Sequence, residues 1–404
     1  MNTRCGIYLQ RRENVPVGTL WLNTARGKLS SVFSYAADWL KAPGSFSLSP
    51  DLPLDPYPKA CEGLFLCFQD CSPDRWGRLL LRRQENALAR EEKRTPRTLL
   101  ESDFLLRVND VTRQGALRLS ADDGKTFLGL SGRHSVPPLL RLPELLSASR
   151  RIADRTEADA DLELLTAPGS SLGGARPKAS IMGADGTLLI AKFPGPSDER
   201  DIPLWEYVTF QLARRAGLRT PVVRLHKAAG KHVLLVSRFD RQGAGRIPFV
   251  SAMSMLQARD GDAGNYTDIA AVLQTGGAAP AEDLRELWAR MVFNICVYNV
   301  DDHLRNHGFL REASGWRLSP VYDLETSLPS EKAPFLHTGI TDDLTAFDLN
   351  LALDAASFFR FRKNEAQQRL DEIRRAVSCW KQEAMNARAP ESEIRLMKES
   401  YEYL

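Results

Sequence analysis

No run of about 18 apolar residues occurs in this chain, so no helix is expected to cross a membrane. Residues 1–12 are polar and contain no apolar core of the kind a secretory signal needs. An excess of one charge is also lacking. The chain has 54 Lys and Arg against 51 Asp and Glu, a formal net charge of +3. That balance does not by itself argue for nucleic acid, although a basic face can hide within it. Cysteine is scarce, and the six positions 5, 61, 67, 71, 296 and 379 match no zinc spacing. Cys67 stands in the apolar run Leu64-Phe65-Leu66-Cys67-Phe68, so Cys61, Cys67 and Cys71 read as reduced, partly buried thiols. No internal repeat is visible. Together these absences leave a cytoplasmic, soluble, globular protein as the expectation.

What is present is enough apolar material for a large core: 43% of 404 residues, a length that suits two or three domains. Residues 6–9 and 17–22 read as antiparallel strands, followed by a short segment over 33–40 and a Pro-rich loop over 50–58. Ser72 reads as the N-cap of a basic amphipathic helix over 75–90, with Pro73 in its first turn. A helix over 143–153 precedes a Gly/Ser-rich loop over 165–174. Strands over 178–182 and 188–193 follow, joined at Asp185-Gly186, then a helix over 204–216 and a strand over 233–236. The clearest helix is 281–299, where Leu284, Leu287, Trp288, Met291, Val292, Ile295 and Cys296 recur at three- and four-residue steps. Further helices are expected over 352–384, and the charged tail from Ala387 is expected to fray. The fold class is read as α+β, with three parts: a mixed module over 1–120, a strand-rich lobe over 121–238 and a helix-rich lobe over 239–404.

The densest chemistry lies in Asn299-Val300-Asp301-Asp302-His303-Leu304-Arg305-Asn306-His307-Gly308. Asp301 and Asn306 are separated by the Asp-to-Asn step of a protein-kinase catalytic loop. The spacing has a chemical reason. One carboxylate must accept a hydrogen bond from an attacking hydroxyl, and an amide oxygen on the same short loop must reach a magnesium ion. Two strands near 308–310 and 316–322 then form a hairpin returning to Asp323, the expected main Mg²⁺ ligand. Each of these residues alone would usually be a solvated loop acid or a cap; the set carries the reading. Lys192 stands on the apolar strand Leu189-Ile190-Ala191-Lys192-Phe193, where a buried ammonium needs a task or a partner. Glu206, in the next helix, is the candidate partner, by analogy with the kinase lysine–glutamate pair. The glycine loop over 169–178 can cover phosphates with backbone N–H groups, although it is neither Gly-x-Gly-x-x-Gly nor a P-loop.

With these residues assembled, the chain resembles the HipA family of serine/threonine kinases, the toxins of bacterial toxin–antitoxin pairs. Ser171-Leu172-Gly173-Gly174-Ala175-Arg176-Pro177-Lys178 is similar to the family's glycine loop. Ile190-Ala191-Lys192-Phe193-Pro194 is similar to its lysine strand, and Arg238-Phe239-Asp240-Arg241 to its hinge. Asn299-x-Asp301-Asp302-His303-x-x-Asn306 and Pro320-x-Tyr322-Asp323 are similar to its catalytic and metal motifs. The N-terminal module matches more loosely, through Phe33-Ser34-Tyr35, Pro73-Asp74-Arg75-Trp76-Gly77-Arg78 and Gly115-Ala116-Leu117-Arg118.

The resemblance implies a two-lobed protein-kinase-like fold and ATP- and Mg²⁺-dependent phosphorylation of a protein serine or threonine. Targets known in the family include aminoacyl-tRNA synthetases. It also implies self-phosphorylation at a loop serine matching Ser171, with Ser170 adjacent; the added charge would repel the ATP phosphates and silence the enzyme. A small helix-turn-helix antitoxin is the implied partner, and operator DNA is reached through it. The implied ATP contacts are Lys192, Gly173, Gly174, Ala175, Arg176, Lys178 and the backbone of Arg238 and Phe239, with Glu206 behind Lys192. Two departures stand out: Ser237 where many members have Glu before the hinge, and Asp70-Cys71-Ser72 where many have an apolar pair. Two other readings stay open. A non-catalytic regulator would bind antitoxin and DNA, using basic runs such as 82–94. A metal-dependent nuclease would use Asp301, Asp302, His303 and Asp323, whereas a kinase would use His303 to orient its loop.

Overall fold

The computed structural model describes residues 2–10, 13–129, 136–169, 174–342 and 344–403. The chain divides into two compact units. One holds residues 1–197, 227–231 and 237–250, the other 198–226, 232–236 and 251–404.

The first unit opens with an antiparallel sheet built from β1 (Asn2–Gln10), β2 (Asn14–Ala25), β3 (Lys28–Tyr35), β4 (Lys59–Glu62) and β5 (Leu117–Ser120), in the order β4-β3-β2-β1-β5. Alternation along the strands puts Cys5, Ile7, Leu9, Leu20, Leu22 and Phe33 on one buried face. Gly18 is required where β2 meets β3: a Cβ there would fall 2.4 Å from the Ser34 carbonyl oxygen. The expected thiols are all free, with Cys67 and Cys71 buried. Burial also raises the Cys67 thiol far above its usual range.

Helix α1 (Arg75–Glu91) forms as its pattern predicts, but its cap differs. Asp74, not Ser72, accepts from the Gly77 N–H at 3.0 Å, while the Ser72 hydroxyl donates back to the Phe68 carbonyl at 2.8 Å. A carboxylate at this position also complements the helix dipole, which a serine does not. Helices α2 (Leu142–Ala153) and α3 (Asp159–Gly169) follow, and α1 packs on α3. Strands β6 (Lys178–Met182) and β7 (Leu188–Lys192) then form the expected hairpin, turning where Gly186 adopts φ +78°. Part of the basic run in and after α1 is paired within the unit. Arg83 pairs with Glu157 at 2.6 Å, and the buried Glu85 receives Arg94 at 2.6 Å and Arg107 at 3.5 Å.

The second unit begins with α4 (Ile202–Arg215). The next two strands, β8 (Val223–Ala228) and β9 (Lys231–Ser237), lie side by side where the chain passes between units. Helices α5 (Tyr266–Gly276) and α6 (Pro280–Cys296) lead to the hairpin of β10 (Gly308–Arg311) and β11 (Trp316–Leu318). The core helix α6 is buried through Leu284, Leu287, Trp288, Met291, Val292 and Ile295. Asp283 in its first turn does more than complement the dipole. Fully buried, it receives Arg219 at 2.5 Å, Arg317 at 2.9 Å and the Leu318 N–H at 3.0 Å, which fixes β11 on the helix start.

The unit ends in α7 (Lys363–Val377), a short helix Trp380–Asn386, and α8 (Glu391–Tyr401). The expected fraying of the tail does not occur. Tyr401 is 5% exposed and stacks on Trp380 with ring centroids 5.2 Å apart, and its hydroxyl meets Thr209 and Thr326 at 2.8 and 3.1 Å. Two aromatics and a buried hydroxyl outweigh the charge of the flanking sequence. Among the described residues no helix is long and apolar enough to cross a membrane.

Candidate active site

The end of α6 launches the charged loop. Tyr298 adopts φ +55°, a left-handed residue of the kind that stops a helix, and the Asn299 N–H bonds back to the Asn294 carbonyl at 2.9 Å. Asn299 then turns inward. Its amide donates to Asn294 Oδ1 at 3.1 Å, and its own Oδ1 accepts from the Asp301 N–H at 3.2 Å.

The two aspartates that follow part company. The Asp301 side chain is 56% exposed and lies 3.7 Å from Lys332 Nζ. Asp302 is 3% exposed. The Tyr266 hydroxyl donates to its carboxylate, His307 Nε2 lies 3.1 Å from it, and its carbonyl accepts from the Thr338 N–H at 3.1 Å. Burial opposes ionisation of Asp302, but the field of His307 and the hydrogen bonds from His307 and Tyr266 outweigh it. Its carboxyl is therefore held below the usual range. The same burial, with the charge of Asp302, pushes the Tyr266 phenol well up. Asn294 Nδ2 completes the group by donating to the Tyr266 oxygen at 3.1 Å.

Asn306 closes the turn. Its backbone N–H donates to the His303 carbonyl at 2.8 Å, and its side-chain nitrogen to the Asp301 carbonyl at 3.0 Å. With Nδ2 so engaged, Oδ1 is the atom left for a cation. The ring expected to orient the loop belongs to His307 rather than His303. The His303 backbone serves the turn, while its ring meets His337 edge-on at 5.8 Å. After the β10–β11 hairpin the chain returns to Asp323, half-buried at φ +60°. A left-handed aspartate is tolerated but uncommon, and such residues cluster at functional sites. The link between the two loops is explicit: the Tyr322 hydroxyl donates to the Arg305 carbonyl at 2.6 Å. Each is the immediate neighbour of a candidate metal ligand, Asp323 and Asn306.

The other candidates divide between the units. In the first, Lys192 is half-buried and pairs across the β6–β7 hairpin with Lys178. Lys178 is 3% exposed, with its ammonium 3.9 Å from Asp74. The Trp76 indole donates to the Lys178 carbonyl at 2.9 Å, and the Trp76 N–H to the Gly174 carbonyl at 3.3 Å, so α1 holds the end of the glycine loop. Gly174 and Ala175 are exposed and Arg176 is half-buried. Gly173, Ser170 and Ser171 lie outside the described residues. The Arg238 side chain belongs to an ion cluster, donating to Asp240 at 2.7 and 2.5 Å. Its backbone N–H donates to the Leu188 carbonyl at 3.1 Å, and Phe239 is half-buried. Glu206 is buried on α4 of the second unit.

The nuclease set does not assemble. Asp302 is committed to the interior, and among the described residues no three His, Cys, Asp or Glu side chains are grouped to hold a metal. Tyr266 and Lys332 carried no signal in the sequence: the first lies 36 positions before Asp302 and the second beyond the metal motif, so only the fold reveals them.

A mixed α/β chain with a polar catalytic-type loop and a second acid returned by a hairpin has the form of a kinase-like fold. The model of the HipA-like C-terminal domain matches residues 170–380, more than half of the chain, and that of the HipA N-terminal domain matches residues 9–101. The chain belongs to the HipA family. It is similar to "Putative kinase Y4mE" of Sinorhizobium fredii, 28% identical over 180 residues, 38% of this chain and 41% of that protein. The chain thus spans well under half the length of that curated relative. It is also similar to HipA in the structure of the Shewanella oneidensis toxin–antitoxin complex of HipA, HipB and operator DNA. That likeness has a TM-score of 0.67 at 17% identity and covers 98% of this chain and 95% of the other. At that identity the likeness shows a shared two-lobed fold.

Proposed function

We propose that this chain is an ATP- and Mg²⁺-dependent protein serine/threonine kinase acting in the cytoplasm as the toxin of a toxin–antitoxin pair. The observation that carries the reading is the Tyr322–Arg305 hydrogen bond, which ties the loop of Asp301 and Asn306 to Asp323. Asp301 is the exposed carboxylate that receives the proton of an acceptor hydroxyl. In the transfer, the acceptor oxygen bonds to the γ-phosphorus and the bond from that phosphorus to the bridging oxygen breaks. ADP leaves with the electron pair, and the hydroxyl proton passes to Asp301.

Asn306 Oδ1 and the Asp323 carboxylate are hard oxygen donors and suit Mg²⁺. When bound, the ion supplies positive charge against the phosphate oxygens. Lys192 is assigned to the ATP phosphates, and Glu206 is assigned to the same duty by analogy with the kinase lysine–glutamate pair. Gly173, Gly174, Ala175, Arg176 and Lys178 are assigned to the covering loop, and the backbone of Arg238 and Phe239 to the adenine. Ser171, with Ser170 beside it, is the proposed site of silencing self-phosphorylation. The working division remains 1–120, 121–238 and 239–404. The partner is a helix-turn-helix antitoxin, with operator DNA reached through it; the Shewanella HipA complex contains HipB and its operator DNA. The substrate class is a cellular protein such as an aminoacyl-tRNA synthetase.

The reading is tested with γ-labelled ATP and Mg²⁺ on the purified chain, followed by phosphosite mapping. Asp301→Gln and Asp323→Gln should each lower transfer by at least about a hundredfold. Undiminished labelling in both would reject it.

A further inference from the structure

Around the catalytic-type loop, Asp302 is paired inside the fold with His307 and Tyr266, while Arg305 lies 3.2 Å from Asp260 at the exposed surface. Asp301 is exposed as well. Its carboxylate points outward and meets one side chain among the described residues, Lys332, whose ammonium in turn meets only Asp301. An exposed pair of this kind contributes little to stability. The backbone that carries Lys332 is nevertheless held by the frame around it. The Lys332 N–H donates to the Leu328 carbonyl at 3.0 Å, and the Lys332 carbonyl accepts from the Tyr298 hydroxyl at 2.8 Å. The Ser327 N–H bonds to the Tyr298 carbonyl at 3.0 Å. The Tyr298 ring is itself wedged edge-on against Phe347 and Tyr403, with centroids 5.1 and 4.8 Å away. The residue that ends α6 and launches the Asp301 loop therefore also anchors the backbone of Lys332.

We propose that Lys332 is a positioning residue of the transfer site: its ammonium holds the Asp301 carboxylate by Oδ1 and leaves Oδ2 for the acceptor hydroxyl. This rests on the kinase reading. A carboxylate placed beside a triphosphate is repelled by it, and a cation 3.7 Å away, carried on an anchored backbone, offsets that repulsion. The loop from Asn299 to His307 contains no lysine, so the cation comes from the segment after Asp323.

The test compares wild type, Lys332→Met and Lys332→Arg as full chains, following transfer from γ-labelled ATP with Mg²⁺ to myelin basic protein. Lys332→Met should lower kcat about ten- to a hundredfold while the KM for ATP stays within about twofold. Lys332→Arg, which keeps the charge, should recover most of the loss. Thermal melting should differ little among the three. Absence of transfer by wild type would reject the kinase reading. Wild-type transfer with an unchanged or faster Lys332→Met would overturn the role of Lys332 alone, a faster variant meaning that the pair masks Asp301. A rise in the KM for ATP at constant kcat would also overturn it.

Discussion

Asp240 in the first unit and Asp302 in the second are both almost fully buried, at 1% and 3% exposed, yet their surroundings differ in kind. Asp240 is held by two guanidiniums: Arg238, which donates twice, and Arg241 at 2.8 Å. The Gly115 N–H adds a bond at 2.7 Å. The same guanidiniums reach the carbonyls of Thr112 and Arg113, so the family-like segments 115–118 and 238–241 are parts of one clamp. Arg118 extends it by pairing with Asp110 at 2.5 Å, and Arg246 joins Asp110 at 2.9 Å. Asp302 has no guanidinium. It is held by a phenol, an imidazole and backbone, and its immediate neighbour stays in solvent. A clamp in which each buried carboxylate is shared by two guanidiniums serves the scaffold. A network with one anion inside and another left outside keeps a reactive group available.

The contrast can be broken, starting from its strongest element. Asp240→Asn leaves Arg238 and Arg241 buried without a counter-charge and should cost about 3–5 kcal/mol in chemical denaturation. The pH dependence follows from the same group. Although burial raises its pKa, the charges of Arg238 and Arg241 outweigh that and bring the Asp240 carboxyl down to about 2. That lies below the roughly 3.9 of an unfolded Asp. Its contribution is therefore complete above about pH 4 and is lost as the pH falls toward about 2. Acid titration of Asp240→Asn should show a flatter slope in that window, and an identical slope would remove Asp240 as the cause.

Asp302→Asn should cost less, about 1–3 kcal/mol, because the Tyr266 hydroxyl still finds an oxygen. It should also slow phosphoryl transfer by loosening the Asn306 turn. Smallest in stability is Asp301→Asn, within about 0.5 kcal/mol for an exposed side chain, although it should remove transfer. A melt that ranks Asp301→Asn as more damaging than Asp302→Asn would reverse the roles of the two neighbours.

Much of this was legible before the fold. The Asp301-to-Asn306 step, the hairpin back to Asp323, the core stripe of α6 and the β6–β7 pair all follow from local spacing, and local spacing is what sequence displays. The cap of α1 was misread because Ser72 and Asp74 are both good caps, and what decides between them is the bond of the Ser72 hydroxyl back to the Phe68 carbonyl four residues earlier. The orienting histidine was assigned to His303 for its place beside the acids, whereas the contact belongs to His307, which the short turn carries inward. Lys332 and Tyr266 were invisible because their partners are distant in sequence. The tail was misjudged because charge density is local, while the Trp380 stack that orders it is not.

The division of the chain has a consequence for how such a protein can be altered. The backbone crosses between the two units after residues 197, 226, 231, 236 and 250. Neither unit can be cut out as one uninterrupted fragment, and a chimera that exchanged one unit with a relative would need five compatible junctions. Recombination that shuffles whole modules elsewhere has no simple seam here.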